Sequence, residues 1–491
     1  MTFACPCREP RHRSGCLARR ACRMTHLNRR LRTLALAALL AVPLADTAFG
    51  LPVIPGAAGF GTGTPAGRGG KVYRVTNLNE NGPGSLGACV AAKGPRVCIF
   101  EVSGTIRLTS DLVAYNDNLT IAGQTAPSPG IVLRGASLRI QASDVLVQHL
   151  RVRVGDDLSG PPPENRDALK IEGSAAKPAR NVVIDHCSFS WALDETATTW
   201  GEWDNVSYLN NIFGEPLRES IHPNKGLPGS PGQGYGVLFG SANASVSMVG
   251  NLLAHQVERN PLSRAARFVF VNNVVYNRAN MDVDLQSENG RVTSSSIVGN
   301  VFIRGSDYTR STRPVNIRTT GALSLMAGSR VYLKDNVALE SNGDPWSVVT
   351  LEGGAIPRQA LEALTPPAWP ADLHELATAN AAVYNRVLAR AGARPVDRDS
   401  VDRRIVQAVR ERNGQIVNCV TADGSERCRR NAGGWPSIPW RSRALVLPQN
   451  ANAATASGYT NLELWLHAMS AGVEGATLGN APSAPADLRV Q

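Results

Sequence analysis

Short β-branched runs recur along most of this chain, and none of them is long enough to bury its apolar side alone. They begin at "NLTIAGQ" (118), "DVLVQHLRVR" (144), "NVVIDHCSF" (181), "NVSYLNNIF" (205), "SVSMVGNLL" (245), "RFVFVNNVVYN" (267), "RVTSSSIVGNVF" (291) and "RVYLKDNVAL" (330). The start-to-start steps are 26, 37, 24, 40, 22, 24 and 39 residues, and the longer ones carry Gly/Pro-rich insertions such as "GDDLSGPPPENR" and "KGLPGSPGQGYG". A floor near 22 with expandable loops is the signature of a solenoid. Alternation within each run excludes helical repeats. A coil of three short strands and tight turns needs roughly that many residues, at about 3.3 Å per strand residue. The expected fold is therefore all-β, a right-handed parallel β-helix over residues 51–345. The Asn that recurs at strand ends fits a ladder of side-chain amides running from coil to coil. "GTGTPA" at 61–66 matches a dinucleotide-binding pattern only formally, because no strand precedes it and no helix follows.

Residues 1–50 read differently. They hold nine arginines against Glu9 and Asp46, so most of the chain's net charge of +11 belongs to them. Arg29, Arg30 and Arg32 precede "TLALAALLAVPLA", which is too short to span a membrane. Basic, then apolar, then small residues describe a secretory signal peptide, with cleavage expected near Gly50 and Met24 as a more ordinary start than Met1. The weak positive charge that remains gives no ground for a nucleic-acid partner, and no later segment reads as a membrane span. Export places the chain in an oxidising compartment, extracellular or periplasmic. There Cys89 and Cys98, and separately Cys419 and Cys428, are spaced for local loop disulfides, while Cys187 is left as a small buried hydrophobe.

Residues 346–491 change character. "LHELATANAAVYNRVLARAG", closing on Gly392, and "SVDRRIVQAVRERNG", with Val401, Ile405, Ala408 and Val409 on one side, both carry helical periodicity. "TNLELWLHAMSAG" opens on a Thr460/Glu463 capping box. These helices are expected to pack on the solenoid as an extension, since no catalytic constellation falls within them.

Three polar clusters fall in the middle coils: Asn165 and Asp167 before one strand, Asp194 and Glu195 at the end of the next, and Arg259 and Arg264 flanking Asn-Pro. Equivalent positions on successive coils lie about 4.8 Å apart, so clusters distant in sequence can line one groove. Carboxylates at that spacing suit a hard cation such as Ca²⁺. Arginines beside them suit a carboxylate-bearing polyanion through forked hydrogen bonds. His186 and His222 are further acid/base candidates, with His186 read as support for the strand edge. Trp191, Trp200 and Trp203 stand beside the expected groove, where stacking on sugar rings and covering a solenoid flank are equally open readings.

The chain resembles the pectate lyase family of secreted polysaccharide lyases. The resemblance rests on "GFGTGTPAGRGGKVYRVTNLNENGPGSLGACV", "LTIAGQTAPSPGI", "NVVIDHCSFSWALDE", "KG…GYGVLFG", "NLLAHQVERNPL" and "NNVVYN", and "GARPVDRDSVDRRIV" and "GYTNLELWL" extend it into the tail. It implies Ca²⁺ held by Asp167, Asp194 and a ligand near Asn165. A further family carboxylate falls on Thr198 here, and Glu195 is placed to substitute for it. It implies Arg259 as the catalytic arginine, and Arg264 and Lys225 as substrate-binding residues. The activity implied is calcium-dependent β-elimination on homogalacturonan (polygalacturonate) by a monomer. Metal-free lysis of esterified pectin, pectin hydrolysis and non-catalytic binding of an acidic polysaccharide stay open on the residues alone.

Overall fold

The computed structural model describes residues 51–224, 232–310, 312–373 and 380–475. Its strands wind as a parallel β-helix with three faces per coil. The first face stacks Leu112–Ala114, Leu138–Ile140, Leu169–Gly173, Glu195–Gly201, the start of Tyr235–Val249, the start of Leu262–Val271, Val283–Leu285, Val315–Arg318 and Val349–Glu352. The second face stacks Lys71–Val75, Arg96–Phe100, Leu119–Ala122, Val145–Gln148, Ala179–Asp185, Trp203–Leu209, the ends of the two long strands, Ser294–Val298 and Arg330–Lys334. The third runs through Val102–Arg107, Ile131–Arg134, Leu150–Arg153, Ser188–Ser190, Ile212–Gly214, Leu252–Ala254, Val274–Tyr276 and Val301–Ile303. One continuous apolar core fills the coil interior, and the rings of Phe213, Tyr208, Phe239, Phe268 and Phe270 follow one another along it.

The amide ladder is present at the corner between the second and third faces. Asn211, Asn251, Asn273, Asn300 and Asn336 stack there, each of the first four donating Nδ2 to the next Oδ1 at 2.9–3.0 Å. Each also donates to a backbone carbonyl of the preceding coil, from Ile184 to Ile297. An amide can do both because it carries two donors and an acceptor. Several corner residues, among them Asn118, Asn205 and Asn272, take positive φ, a conformation that Asn tolerates better than most side chains.

The C-terminal helices form as their periodicity predicts. Ser400–Glu411 starts on Asp399, Asn461–Glu474 starts on the Thr460/Glu463 capping box, and the described helix Asn380–Arg390 ends before Gly392 at φ +96°. The positive φ at Gly392 favours glycine where the chain returns to the solenoid, and an added Cβ would also press on Ile212 Cδ1 at 2.6 Å. Val383, Val387, Val401, Ile405 and Val409 cover the outer side of the third face. Leu462 and Leu466 cover the second face near Val97 and Ile99, and residues 53–66 run along the same face over Leu146 and Val183. The outer side of the first face carries Arg139, Glu172, Trp200, Arg264, Gln286 and Arg318 instead, and that is where the polar clusters meet.

Both expected disulfides, Cys89–Cys98 and Cys419–Cys428, are formed, and Cys187 is free and buried. Among the described residues no helix is long and apolar enough to cross a membrane. The leader, with its expected cleavage point, and Lys225 lie outside the described residues.

Candidate active site

Strand register builds the site. Leu169 pairs with Ala197, which sets Asp167 beside Glu195, and the Glu195 amide donates to Asp167 Oδ1 at 3.2 Å. Glu195 in turn pairs with Tyr235, and Tyr235 bridges to Glu258, next to Arg259. Four successive coils thus deliver Asp167, Glu195, Tyr235 and Arg259 to one edge of the first face. Carboxylate oxygens of Asp167, Asp194 and Glu195 lie within 4.8 Å of one another, and Arg259 Nη1 contacts Glu195 Oε1.

Local contacts fix each of these side chains. The loop before Asp167 is anchored by buried Arg166, which donates to the carbonyls of Gly155, Asp157 and Pro161. Arg259 sits at φ +64°, a strained conformation costing a non-glycine residue about 1 kcal/mol or more. It is held there because the Val237 amide donates to its carbonyl at 2.6 Å, while the next residue, Asn260, bonds the Met281 and Asp282 carbonyls. The guanidinium lies over the Tyr235 ring, 3.9 Å from its centroid. Arg264 projects from the neighbouring strand and donates to Gln286 Oε1 at 2.9 Å, with Glu288 at 3.5 Å.

The electrostatics follow from burial. Asp167 is pushed well above the ordinary carboxylate range, first by loss of water and then by the Asp194 charge, with Lys170 opposing. Asp194 is also raised by burial, against the pull of His222, Arg259 and Lys170. Burial, aided by Arg264, lowers Arg259 to about 10, while Asp194 and Asp167 oppose the fall. A pair of crowded carboxylates with too little positive charge beside them is a site that a cation would relieve. Thr198 lies near enough to Asp167 to favour its charged form, yet its buried Oγ1 makes no hydrogen bond of good geometry. These oxygen donors fit a hard divalent ion by chemistry and by spacing.

The remaining expected residues divide. Asn165 is exposed in a short 3-10 turn two residues before Asp167, and no hydrogen bond fixes its side chain among the described residues. His222 is buried beside Asp194 and accepts the Asn224 amide at Nδ1, 3.1 Å away. His186 belongs to a different place, bonded to Asp185. Of the three tryptophans, Trp191 and Trp203 are buried, whereas Trp200 is 51% exposed on the first face, paired in register with Glu172. Tyr235 and Lys170 are neighbours of the site that the sequence reading did not single out. Their alternation within "GYGVLFG" and "RDALKIEG" marks them as strand residues, but only the register reveals which coil they face.

No protein-family model matches the sequence. Curated relatives do. The chain is 31% identical over 437 residues to a probable pectate lyase C of Aspergillus fumigatus, an alignment covering 85% of this chain and 94% of that protein. It is 34% identical over 258 residues to a probable pectate lyase C of Aspergillus flavus, covering 52% and 55% of the two chains. Among solved structures, a Bacillus sp. N165 pectate lyase in complex with trigalacturonate aligns at 14% identity and a TM-score of 0.44, over 68% of this chain and 98% of that one. The extent of the match to the fungal relatives shows that this chain is a polysaccharide lyase and belongs to the pectate lyase family.

Proposed function

We propose that the protein is a secreted, calcium-dependent lyase that cleaves homogalacturonan by β-elimination at the edge formed by Asp167, Asp194, Glu195 and Arg259. The observation that carries this reading is the meeting of three carboxylates within 4.8 Å with a guanidinium seated on one of them. Asp167, Asp194 and Glu195 would hold Ca²⁺, with Asn165 close by in the preceding turn. When bound, the ion would neutralise the uronate carboxylate and acidify the adjacent C5–H.

The protein's own groups supply the rest. Arg264 forks to a neighbouring uronate carboxylate, and Lys225 is proposed to bind a uronate carboxylate as well. Trp200 offers a ring face to the sugar chain. Arg259 meets the C5 proton, its hold on its own proton loosened by burial and by Arg264. Proton loss from C5 and departure of the C4 oxygen leave a C4–C5 double bond, and the leaving oxygen takes up a proton. The two disulfides and the arginine-rich leader support secretion, and the substrate is proposed to be bound by a monomer.

The test is incubation of purified protein with polygalacturonate, with and without a calcium chelator, following the ultraviolet absorbance of the unsaturated uronate. Absorbance that rises only with calcium supports the proposal. Chain shortening without that absorbance identifies a hydrolase, and chelator-resistant absorbance a metal-free lyase; either result overturns it.

A further inference from the structure

A second group of ionisable side chains lies away from this edge, at the corner between the second and third faces. Asp185 pairs in register with Gln148, so His149 and His186 occupy the same corner on adjacent coils. Their rings stack with centroids 5.3 Å apart and planes 11° from parallel. The helix Asn461–Glu474 brings its last residue, Glu474, onto this pair. Glu474 Oε1 lies 3.5 Å from His149 Nε2 and 3.7 Å from His186 Nδ1, and Asp185 Oδ1 lies 2.8 Å from His186 Nδ1. One nitrogen or oxygen from each of the four residues falls within 4.8 Å of the others. A tetrahedral ion with ligands at about 2.0–2.1 Å has ligand–ligand edges of about 3.4 Å, close to these separations.

The groups behind these atoms are arranged as metal ligands usually are. His149 donates Nδ1–H to the Ala393 carbonyl at 2.7 Å, which leaves the Nε2 lone pair facing Glu474. Asp185 Oδ2 accepts from Gln148 Nε2 at 2.9 Å, and Glu474 Oε2 accepts from Arg390 at 3.0 Å. His186 Nδ1 donates to Asp185 Oδ1 at 2.8 Å while its Nε2 is buried with no hydrogen-bond partner, so an ion taken up at Nδ1 displaces that proton and Nε2 stands open to carry one. Two carboxylates balance the charge of a divalent ion. A lone pair facing a carboxylate has little to hold it except the Ser470 hydroxyl, 3.0 Å from His149 Nε2. Asp185, His186 and Glu474 line an open cavity of about 320 Å³, which supplies an entry path.

We propose that His149, Asp185, His186 and Glu474 form a second metal site, selective for a borderline transition-metal ion of the Zn²⁺ class. Imidazole nitrogens favour such an ion over Ca²⁺, which separates this site from the all-oxygen edge at Asp167. Bound there, the ion fastens the C-terminal helix to the solenoid.

The experiment uses the full chain stripped of metal. Zn²⁺ is titrated calorimetrically and by its effect on the thermal midpoint, and Co²⁺ is added as a visible-absorption probe of histidine ligation. Expected is one equivalent bound, a raised midpoint and a Co²⁺ spectrum, with Glu474→Gln and His149→Gln each weakening binding at least 10-fold. Asp194→Asn at the first edge, and His467→Ala at the exposed histidine nearby, leave binding intact. If wild-type protein gives no Co²⁺ absorption, or if Glu474→Gln and His149→Gln bind as wild type does, the ion is adventitious only and the four residues are a proton-bridged network. The wild-type titration decides the matter even where a variant fails to fold.

Discussion

Replacing Asn251 with alanine tests the idea that the amide ladder holds coil to coil. Asn251 is fully buried. Its Oδ1 accepts from the Asn211 amide at 2.8 Å and from Asn211 Nδ2 at 3.0 Å, and its Nδ2 donates to the Tyr208 carbonyl and Asn273 Oδ1, both at 2.9 Å. Alanine leaves the Asn211 amide and one Asn211 side-chain N–H without partners in the core, and takes the side-chain bond from the Tyr208 carbonyl. Asn273 Oδ1 still accepts from the residue 251 amide. Each buried group left unsatisfied costs about 1–3 kcal/mol, so the two orphaned donors put the loss at about 2–6 kcal/mol. Asn336 makes the same kind of contacts at the half-buried end of the ladder, where water can replace them. Asn336→Ala should cost about 1–2 kcal/mol. Urea unfolding followed by far-ultraviolet circular dichroism measures both. Equal losses at the two positions, or a loss below about 1 kcal/mol at Asn251, would refute the reasoning.

Three further outcomes follow from the geometry. Arg151 and Arg153 of the third face meet Asp399 and Asp402 at the start of Ser400–Glu411, all four buried, and the arginine charges hold the Asp399 carboxyl below its ordinary range. A depressed carboxyl contributes stability that is complete above its unfolded value, about 4, and lost as pH falls through the folded one. The thermal midpoint of wild type should therefore drop more steeply below pH 4 than that of Asp399→Asn, and parallel acid profiles would contradict this. Breaking the same network with Arg153→Met at neutral pH should cost about 3–5 kcal/mol in urea unfolding, because two buried carboxylates lose a partner. Trp200→Ala should raise KM on polygalacturonate several-fold with kcat and unfolding midpoint unchanged; an unchanged KM removes Trp200 from the substrate path.

The repeat was legible because each coil restates the same pattern, and the helices because their caps and apolar faces are local. Asp167, Asp194, Glu195 and Arg259 could be placed on one wall because a β-helix converts sequence offset into a fixed lateral spacing. Where side chains point at the corners was not legible. Trp203 turns into the coil, Trp191 is buried outside it against Trp435 of the tail, Trp200 turns out, and Tyr235 slides beneath Arg259, because the irregular loop lengths hide the register. Contacts between the tail and the solenoid were also out of reach. Glu474 meets His149, and Asp399 meets Arg153, across more than two hundred residues with no shared motif.

The proposal of eliminative cleavage is tested most directly by Arg259→Ala, assayed for unsaturated product on polygalacturonate alongside calorimetric Ca²⁺ titration. The account predicts a fall in kcat of about 10²–10⁴-fold, the range for losing a group that moves the proton, with Ca²⁺ affinity retained because the oxygen donors remain. A variant that keeps wild-type turnover while binding calcium normally would contradict it.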